Sequence, residues 1–304
     1  MNDAGGGARN YPLHFVYRIF GSEEKNMRYK DLSEAKKKEI ADYYRKPNPI
    51  KKTCKQFGIG ENSLYKILDE FNIQKRTREQ NGERRYSIDE SFFYNQSSDL
   101  AYFLGLLGAD GNVARNTNVV FIELQRSDYL VLEEIRKSMR LERPIKFYET
   151  KTGYKNAKLY FENKKLHNKL IESYGLCPNK TYDTEHFVFP NIDKKYYPDY
   201  IRGYFDGDGS IKKVNGSICF QLDSSNEKLL LKIKDILEQE TGAILSEQVD
   251  LPPEERKTKH DRTIPYYRIS CYGQNAKKVL EYIYYSEDII FLQRKYDFYK
   301  KEMG

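Results

Sequence analysis

Two nine-residue segments, Phe103–Gly111 (FLGLLGADG) and Ile201–Gly209 (IRGYFDGDG), repeat one pattern at an interval of 98 residues. Each is a short apolar helix pattern with a small residue at its third and seventh positions and Asp-Gly at its end. The same offset carries Val120, Ile122, Leu124, Leu132 and Ile135 onto Ile218, Phe220, Leu222, Leu230 and Ile233 without a gap. A repeat that preserves core positions and a terminal carboxylate is a duplicated structural unit. Each copy reads helix, two strands, helix, two strands, helix, so the expected class is α+β with two pseudo-symmetric αββαββα repeats.

Gly105 and Ala109 are four residues apart, as are Gly203 and Gly207, so each pair lies on one helix face. Without bulky side chains the two helices can pack at short range. Leu104, Leu106, Leu107, Tyr204 and Phe205 then face the two cores. Such a crossing brings Asp110 and Asp208 together at the helix C-termini, where dipole ends and free carbonyls add to the carboxylates. Like charges so close are unfavourable, and a divalent cation relieves them. Oxygen donors alone, from Asp110 and Asp208 and the preceding Ala109 and Gly207, suit Mg²⁺. A lone Asp-Gly is usually an ordinary helix-ending turn; two copies in a long matched repeat favour the metal site.

The residues of this repeat resemble the LAGLIDADG homing endonucleases in their single-chain, two-motif form, over roughly residues 90 to 300. That resemblance implies a saddle of two sheets lying in a DNA groove. It also implies a monomer that cuts both strands of a long asymmetric target with Mg²⁺, by in-line attack of metal-activated water, leaving short 3′ overhangs. Such activity underlies intron mobility. By the same resemblance Asp110 and Asp208 hold the metal, and Gln125 and its repeat partner Asp223 stand near the attacking water. Lys180 (in GLCPNKT) and Lys295 (in FLQRKYD) stabilise the pentacovalent phosphate or orient water. The sixth motif position differs, Gly108 against Asp206, and Asp206 receives no catalytic role. The alternative is a non-cleaving RNA maturase or DNA-binding regulator on the same scaffold; retention of both acids favours cleavage. An intein is disfavoured by Met1 at the start and Glu302-Met303-Gly304 at the end.

Period-two alternation in Val119–Gln125 and its partner places one strand face on a helix-covered core. Further strands are expected at Ile145–Thr150, Lys158–Phe161, Ala243–Val249 and Tyr266–Cys271, with an exposed loop over Leu251–Thr263. Lys146, Tyr148, Lys158, Tyr160, Lys212, Gln221, Arg268 and Ser270 are expected on the outward face, reading double-stranded DNA.

Charge points the same way. The net charge is +7, and Tyr29–Tyr86 alone holds 15 Lys/Arg against 9 Asp/Glu, which suits a polyanionic partner. Residues 1–28 read as a tail, with an extended segment over Tyr11–Phe20, and 29–73 as a helix-turn-helix domain. There Ser33 caps a helix that stops near Pro47, and a second helix spans Ile50–Phe57. The turn Gly58-Ile59-Gly60 leads into a third helix that crosses close to small Cys54. Lys51, Lys52, Asn62, Ser63, Tyr65 and Lys66 are its DNA-binding candidates. Residues 74–97 read as a basic linker, with Lys75, Arg76, Arg78, Arg84 and Arg85 following phosphates; 98–190 and 191–304 are the repeats.

Cys54, Cys177, Cys219 and Cys271 form no Cys-x-x-Cys pair, and His14, His167, His186 and His260 lack ligand spacing. A zinc site or disulfide framework is therefore not expected, and a reducing compartment fits, nucleoid-associated in the cytoplasm or organellar. No apolar run is long enough to span a membrane, and LHFVYRIF is interrupted by His14 and Arg18.

Overall fold

The computed structural model describes residues 27–46, 48–76, 86–180, 183–250 and 266–303. Tyr11–Phe20, Arg78, Arg84, Arg85, the Leu251–Thr263 loop, His14 and His260 lie outside them. The chain divides into two units, residues 1–85 and 86–304.

In the first unit, helix α1 (Glu34–Arg45) starts at Ser33, whose Oγ accepts from Lys36 N at 3.3 Å. Helix α2 (Ile50–Phe57) ends at Gly58, left-handed with φ 60°, and α3 (Glu61–Glu70) follows after Gly60. Ile40, Tyr44, Phe57, Ile59, Leu64 and Ile67 are among the residues that close its core. Lys51, Lys52, Asn62 and Lys66 are exposed, and Ser63 and Tyr65 half-buried. Arg76 departs from its expected role. Its guanidinium donates to the carbonyls of Tyr44, Asn48 (2.7 Å) and Lys46 (2.6 Å). It caps the C-terminal end of α1, where carbonyls lack intrahelical partners, so it is not spent on phosphates.

The second unit absorbs the latter half of the expected linker. Phe92 and Phe93 are buried in its core, and Asp89 N and Glu142 N bond Met139 O and Ser87 O, each at 3.0 Å. Two apolar rings in a polar stretch are the reason: they gain more buried against the first repeat than in water.

Repeat 1 runs α4 (Ser98–Asp110), β1 (Gly111–Val113), β2 (Val119–Gln125), α5 (Tyr129–Ser138), β3 (Lys146–Glu149), β4 (Lys155–Glu162) and α6 (Lys164–Tyr174). Repeat 2 runs α7 (Tyr197–Asp208), β5 (Gly209–Val214), β6 (Ser217–Ser224), α8 (Glu227–Thr241), β7 (Ser246–Asp250), β8 (Tyr266–Tyr272) and α9 (Gly273–Ile283), followed by α10 (Gln293–Met303). The αββαββα order is thus present twice. Both sheets are antiparallel, ordered β1-β2-β4-β3 and β5-β6-β8-β7. Val120, Ile122 and Leu124 turn inward on β2, as do Ile218, Phe220 and Leu222 on β6.

The repeats are not in register throughout. Gly111 pairs with Ile122, whereas Gly209 pairs with Leu222, two residues beyond the position that the 98-residue offset gives. Repeat 2 turns through Asn215-Gly216, both with positive φ (48° and 82°), a two-residue hairpin loop. Repeat 1 uses the longer connection between Val113 and Val119. Equal chain length with a tighter turn slides the strands by two. The side-chain period is also two, so the inward face is kept and the slip is silent in the hydrophobic pattern.

Helices α4 and α7 pack on each other through the small residues expected. A Cβ added to Gly105 would press on the Tyr200 carbonyl and stand 2.7 Å from Tyr204 N; one on Gly203 would press on the Tyr102 carbonyl and stand 2.9 Å from Leu106 N. Only hydrogen at both positions permits this approach. Leu104, Leu106, Leu107, Tyr204 and Phe205 are all buried.

Candidate active site

Asp110 and Asp208 are the last residues of the two crossing helices, and strands β1 and β5 begin directly after them. A Cβ on Gly207 would meet the Ala109 side chain and lie 3.1 Å from Asp110 Oδ2. The missing side chain at Gly207 therefore lets Ala109 and the Asp110 carboxylate pack directly against the end of α7. Both aspartates are exposed at the surface. Burial pushes the Asp208 carboxyl up to about 6, reinforced by the Asp110 charge and opposed by Lys180 and Lys295. Burial likewise raises Asp110, opposed by Lys180, Lys295 and Arg294.

Both lysines reach the site, but as caps. Lys180 Nζ donates to Leu107 O (2.9 Å) and Ala109 O at the end of α4. Lys295 Nζ donates to Phe205 O, Asp206 O (2.9 Å) and Gly209 O (2.7 Å) at the end of α7. Burial lowers each ammonium to about 8, against the pull of nearby carboxylates. An ammonium has three donors; Lys295 spends all three on carbonyls and Lys180 two. Lys295 thus positions the helix end, and only Lys180 retains a hydrogen for water or phosphate. The Ala109 carbonyl, a candidate metal ligand, already accepts from Lys180.

Asp206 is tied into the fold. It is 1% exposed and accepts from Tyr102 OH, Tyr284 OH and Leu292 N, each at 2.8 Å. This ties the segment before α10 to α7 and delivers Lys295. Arg202, fully buried, adds bonds to Ile283 O (2.9 Å), Ile290 O (2.8 Å) and Asp199 Oδ1 (2.8 Å). Neither was singled out from the sequence as a functional residue, although a charged residue inside an apolar motif was the available signal.

Gln125 is exposed and lines a depression of ≈ 810 Å³ together with Asp110, Asp128, Asn156 and Arg294. Asp223 is not its counterpart. The two-residue slip aligns Asp223 with Glu123, and the pairing agrees: Glu123 lies opposite Lys158 as Asp223 lies opposite Arg268. Arg268 Nε donates to Asp223 Oδ1 at 2.6 Å, and Gln221 Nε2 to Asp223 Oδ2 at 2.8 Å. Lys212 Nζ donates to Gln221 Oε1 at 3.2 Å. In repeat 1, Lys158 lies 3.4 Å from Glu123 and over the Phe121 ring, and Glu123 also accepts from Asn156 Nδ2 at 2.9 Å. Lys146 is exposed, and Tyr160 lies under the Arg143 guanidinium. These outward residues form networks with one another before any partner arrives. Ser270 is a correction: it is 2% exposed, and its Oγ lies 3.1 Å from Ser246 Oγ, so it cannot read a base from the surface.

The four cysteines are free. His167 is buried against Ala114 O, and His186 pairs with Asp183. Among the described residues no group of three or more His, Cys, Asp and Glu could hold a metal ion, and no helix is long and apolar enough to cross a membrane. The metal candidate is the aspartate pair of the repeat, Asp110 and Asp208. Two carboxylates held at raised pKa at adjoining helix ends, with oxygen ligands alone, fit a hard divalent cation.

The Asp208 shift has a thermal consequence. A folded carboxyl at about 6 against an ordinary 3.8 holds its proton more tightly than in the unfolded chain. Its contribution favours folding below the ordinary value and fades as pH rises through about 6. Without divalent ions Asp208→Asn should therefore melt higher than wild type at about pH 7.5, and the gap should close near pH 4. Melts at the two pH values check this; a variant less stable at the higher pH contradicts it.

Residues 196–284 match the family model of the LAGLIDADG-like domain. The DNA-directed RNA polymerase subunit Rpo1C of Methanocaldococcus jannaschii is 28% identical over 114 residues, 37% of this chain and 13% of that subunit. The chain therefore spans a small part of its curated relative. Among solved structures, full-length WhiA from Thermotoga maritima is similar over 71% of this chain and 64% of that one, with 12% identity and a TM-score of 0.43. The I-LtrWI LAGLIDADG homing endonuclease bound to target DNA is similar over 67% and 89%, with 14% identity and a TM-score of 0.40.

Proposed function

We propose that this chain, which carries a LAGLIDADG-like domain, is a site-specific homing endonuclease that hydrolyses both strands of a long asymmetric DNA target. The observation that supports this most is the pair Asp110 and Asp208, brought together at the ends of two glycine-packed helices. A divalent cation, best Mg²⁺, would be held by these carboxylates and the Gly207 carbonyl, and supplies Lewis acidity and an activated water when bound. Gln125 faces the depression beside Asp110 and can orient water there. Lys180 offers its remaining hydrogen to a phosphate oxygen, while Lys295 holds the end of α7 in place. Lys146, Tyr148, Lys158, Tyr160, Lys212, Gln221 and Arg268 on the outward strand faces meet the duplex, and one chain acts alone because it holds both halves.

Full-length protein incubated with Mg²⁺ and a plasmid library of genomic or randomised inserts should yield linear products cut at one sequence with short 3′ overhangs. Protein that retains DNA but leaves it uncut in Mg²⁺ would support the non-cleaving binder instead.

The first unit serves as a second DNA-binding element in this reading, with Asn62, Ser63, Tyr65 and Lys66 on α3 and Lys51 and Lys52 on α2. Deleting residues 1–85 should leave cleavage and weaken binding. The slope of log affinity against log salt should fall by about one for each phosphate that these residues neutralise. The salt slope and footprint of the two proteins check this. An unchanged footprint and slope would remove the first unit from the interface.

A further inference from the structure

We propose that Arg294 is a phosphate-binding residue for one DNA strand only, the strand cut on the Asp110 side, and that Asp128 holds it ready there. This rests on the endonuclease reading above. Arg294 Nε donates to Asp128 Oδ2 at 3.1 Å. The two ends of the pair differ in freedom: the Asp128 side chain is 11% exposed and that of Arg294 59%. The carboxylate is an anchor and the guanidinium an open arm. Among the described residues its two terminal nitrogens make no hydrogen bond, and these form the planar fork that suits a phosphate. Both residues line the depression that contains Asp110 and Gln125.

An ion pair this open contributes little to stability, so packing does not account for it. Its place does. Lys295, the neighbouring cation, has spent its hydrogens on backbone carbonyls. Arg294 is the cation beside it that can still bond an incoming oxygen.

The equivalent positions of the other half hold no such pair. Asp128 immediately precedes α5; the residue in that place before α8 is Asn226, buried and committed to Leu229 N and Phe187 O. Arg294 immediately precedes Lys295; the residue before Lys180 is Asn179. On the Asp208 flank the nearby acid is Asp223, already neutralised by Arg268. The Asp110 side therefore offers a guanidinium bound to its acid through Nε alone, whereas on the Asp208 side the matching position is an uncharged asparagine and the nearby guanidinium, Arg268, is held by Asp223 through Nε and a terminal nitrogen. A phosphodiester on the Asp110 side gains a donor fork as negative charge develops on its oxygens, and its partner strand does not.

The test uses a duplex recovered from the cleavage selection, each strand carrying its own 5′ label, with full-length protein and Mg²⁺. Arg294→Ala should slow cutting of one strand by about 100-fold and of the other by less than about threefold, so that nicked DNA accumulates. Arg294→Lys keeps the charge and should restore the slow strand to within about tenfold of wild type. Melting curves should show both variants folded at the assay temperature, with Arg294→Ala the less stable because it leaves the largely buried Asp128 carboxylate without its partner. Equal slowing of both strands by Arg294→Ala, or slowing of neither, overturns the assignment while the endonuclease reading stands. Wild-type protein that binds and cuts no DNA defeats the endonuclease reading, and this assignment with it.

Discussion

Replacing Asp110 or Asp208 by Asn should lower double-strand cleavage by about a thousandfold or more and leave DNA affinity within about tenfold. The amide keeps the size and shape of the carboxyl but removes the charge that offsets a divalent cation. Affinity comes mainly from phosphate contacts spread over the outward strand faces, which neither substitution touches. The Asp208 variant should at the same time be the more stable protein in metal-free buffer near neutral pH, because the wild-type carboxylate is crowded by burial and by Asp110. Loss of activity with a gain in stability is the signature of a site whose geometry is held against its own electrostatics. The measurements are product formation against protein concentration, binding to the same duplex in Ca²⁺, and a melt of each protein. Either variant cutting both strands at the wild-type rate, with its fold intact, would end the site assignment.

Gly203→Ala should destabilise the second unit by about 3 kcal/mol or more, a larger effect than most single methyl additions produce. The new Cβ would press on the Tyr102 carbonyl and stand 2.9 Å from Leu106 N. Both neighbours are backbone of a buried helix, so neither can rotate away as a side-chain tip would. The helices must separate, and Asp110 and Asp208 separate with them, so cleavage falls with stability. For a unit of this size the melting temperature should drop by about 6–12 °C. Chemical denaturation of wild type and variant gives the free energy directly. A variant with the wild-type midpoint would mean that the two helices do not meet at this residue.

Much of the fold is legible from local patterns. The two motif helices, the inward faces of β2 and β6, the αββαββα order and the left-handed Gly58 follow from periodicity and from the few residues that can fill such positions. So does the pairing of Asp110 with Asp208, because small residues four apart mark a helix face that must be approached closely. The strand ends differ from expectation: β4 begins at Lys155 rather than Lys158, and β7 at Ser246 rather than Ala243. Strand ends are set by pairing partners, which a single segment does not contain.

Commitments of polar groups form the other class. Ser270 is on the expected strand yet covered; Arg268 and Gln221 are on the outward face yet bound to Asp223. Lys180 and Lys295 reach the site yet serve first as caps. Asp128 and Arg294, 166 residues apart, meet at its mouth. Local sequence alone determined which helices carry the acids and which faces are apolar, because burial repeats with the 3.6 and 2.0 residue periods of the backbone. Hydrogen bonds between distant side chains have no period. They depend on where loops of different length leave each element, and the two-residue slip between β1–β2 and β5–β6 is enough to exchange Gln125 for Glu123 as the partner of Asp223. Only the tertiary structure decided that.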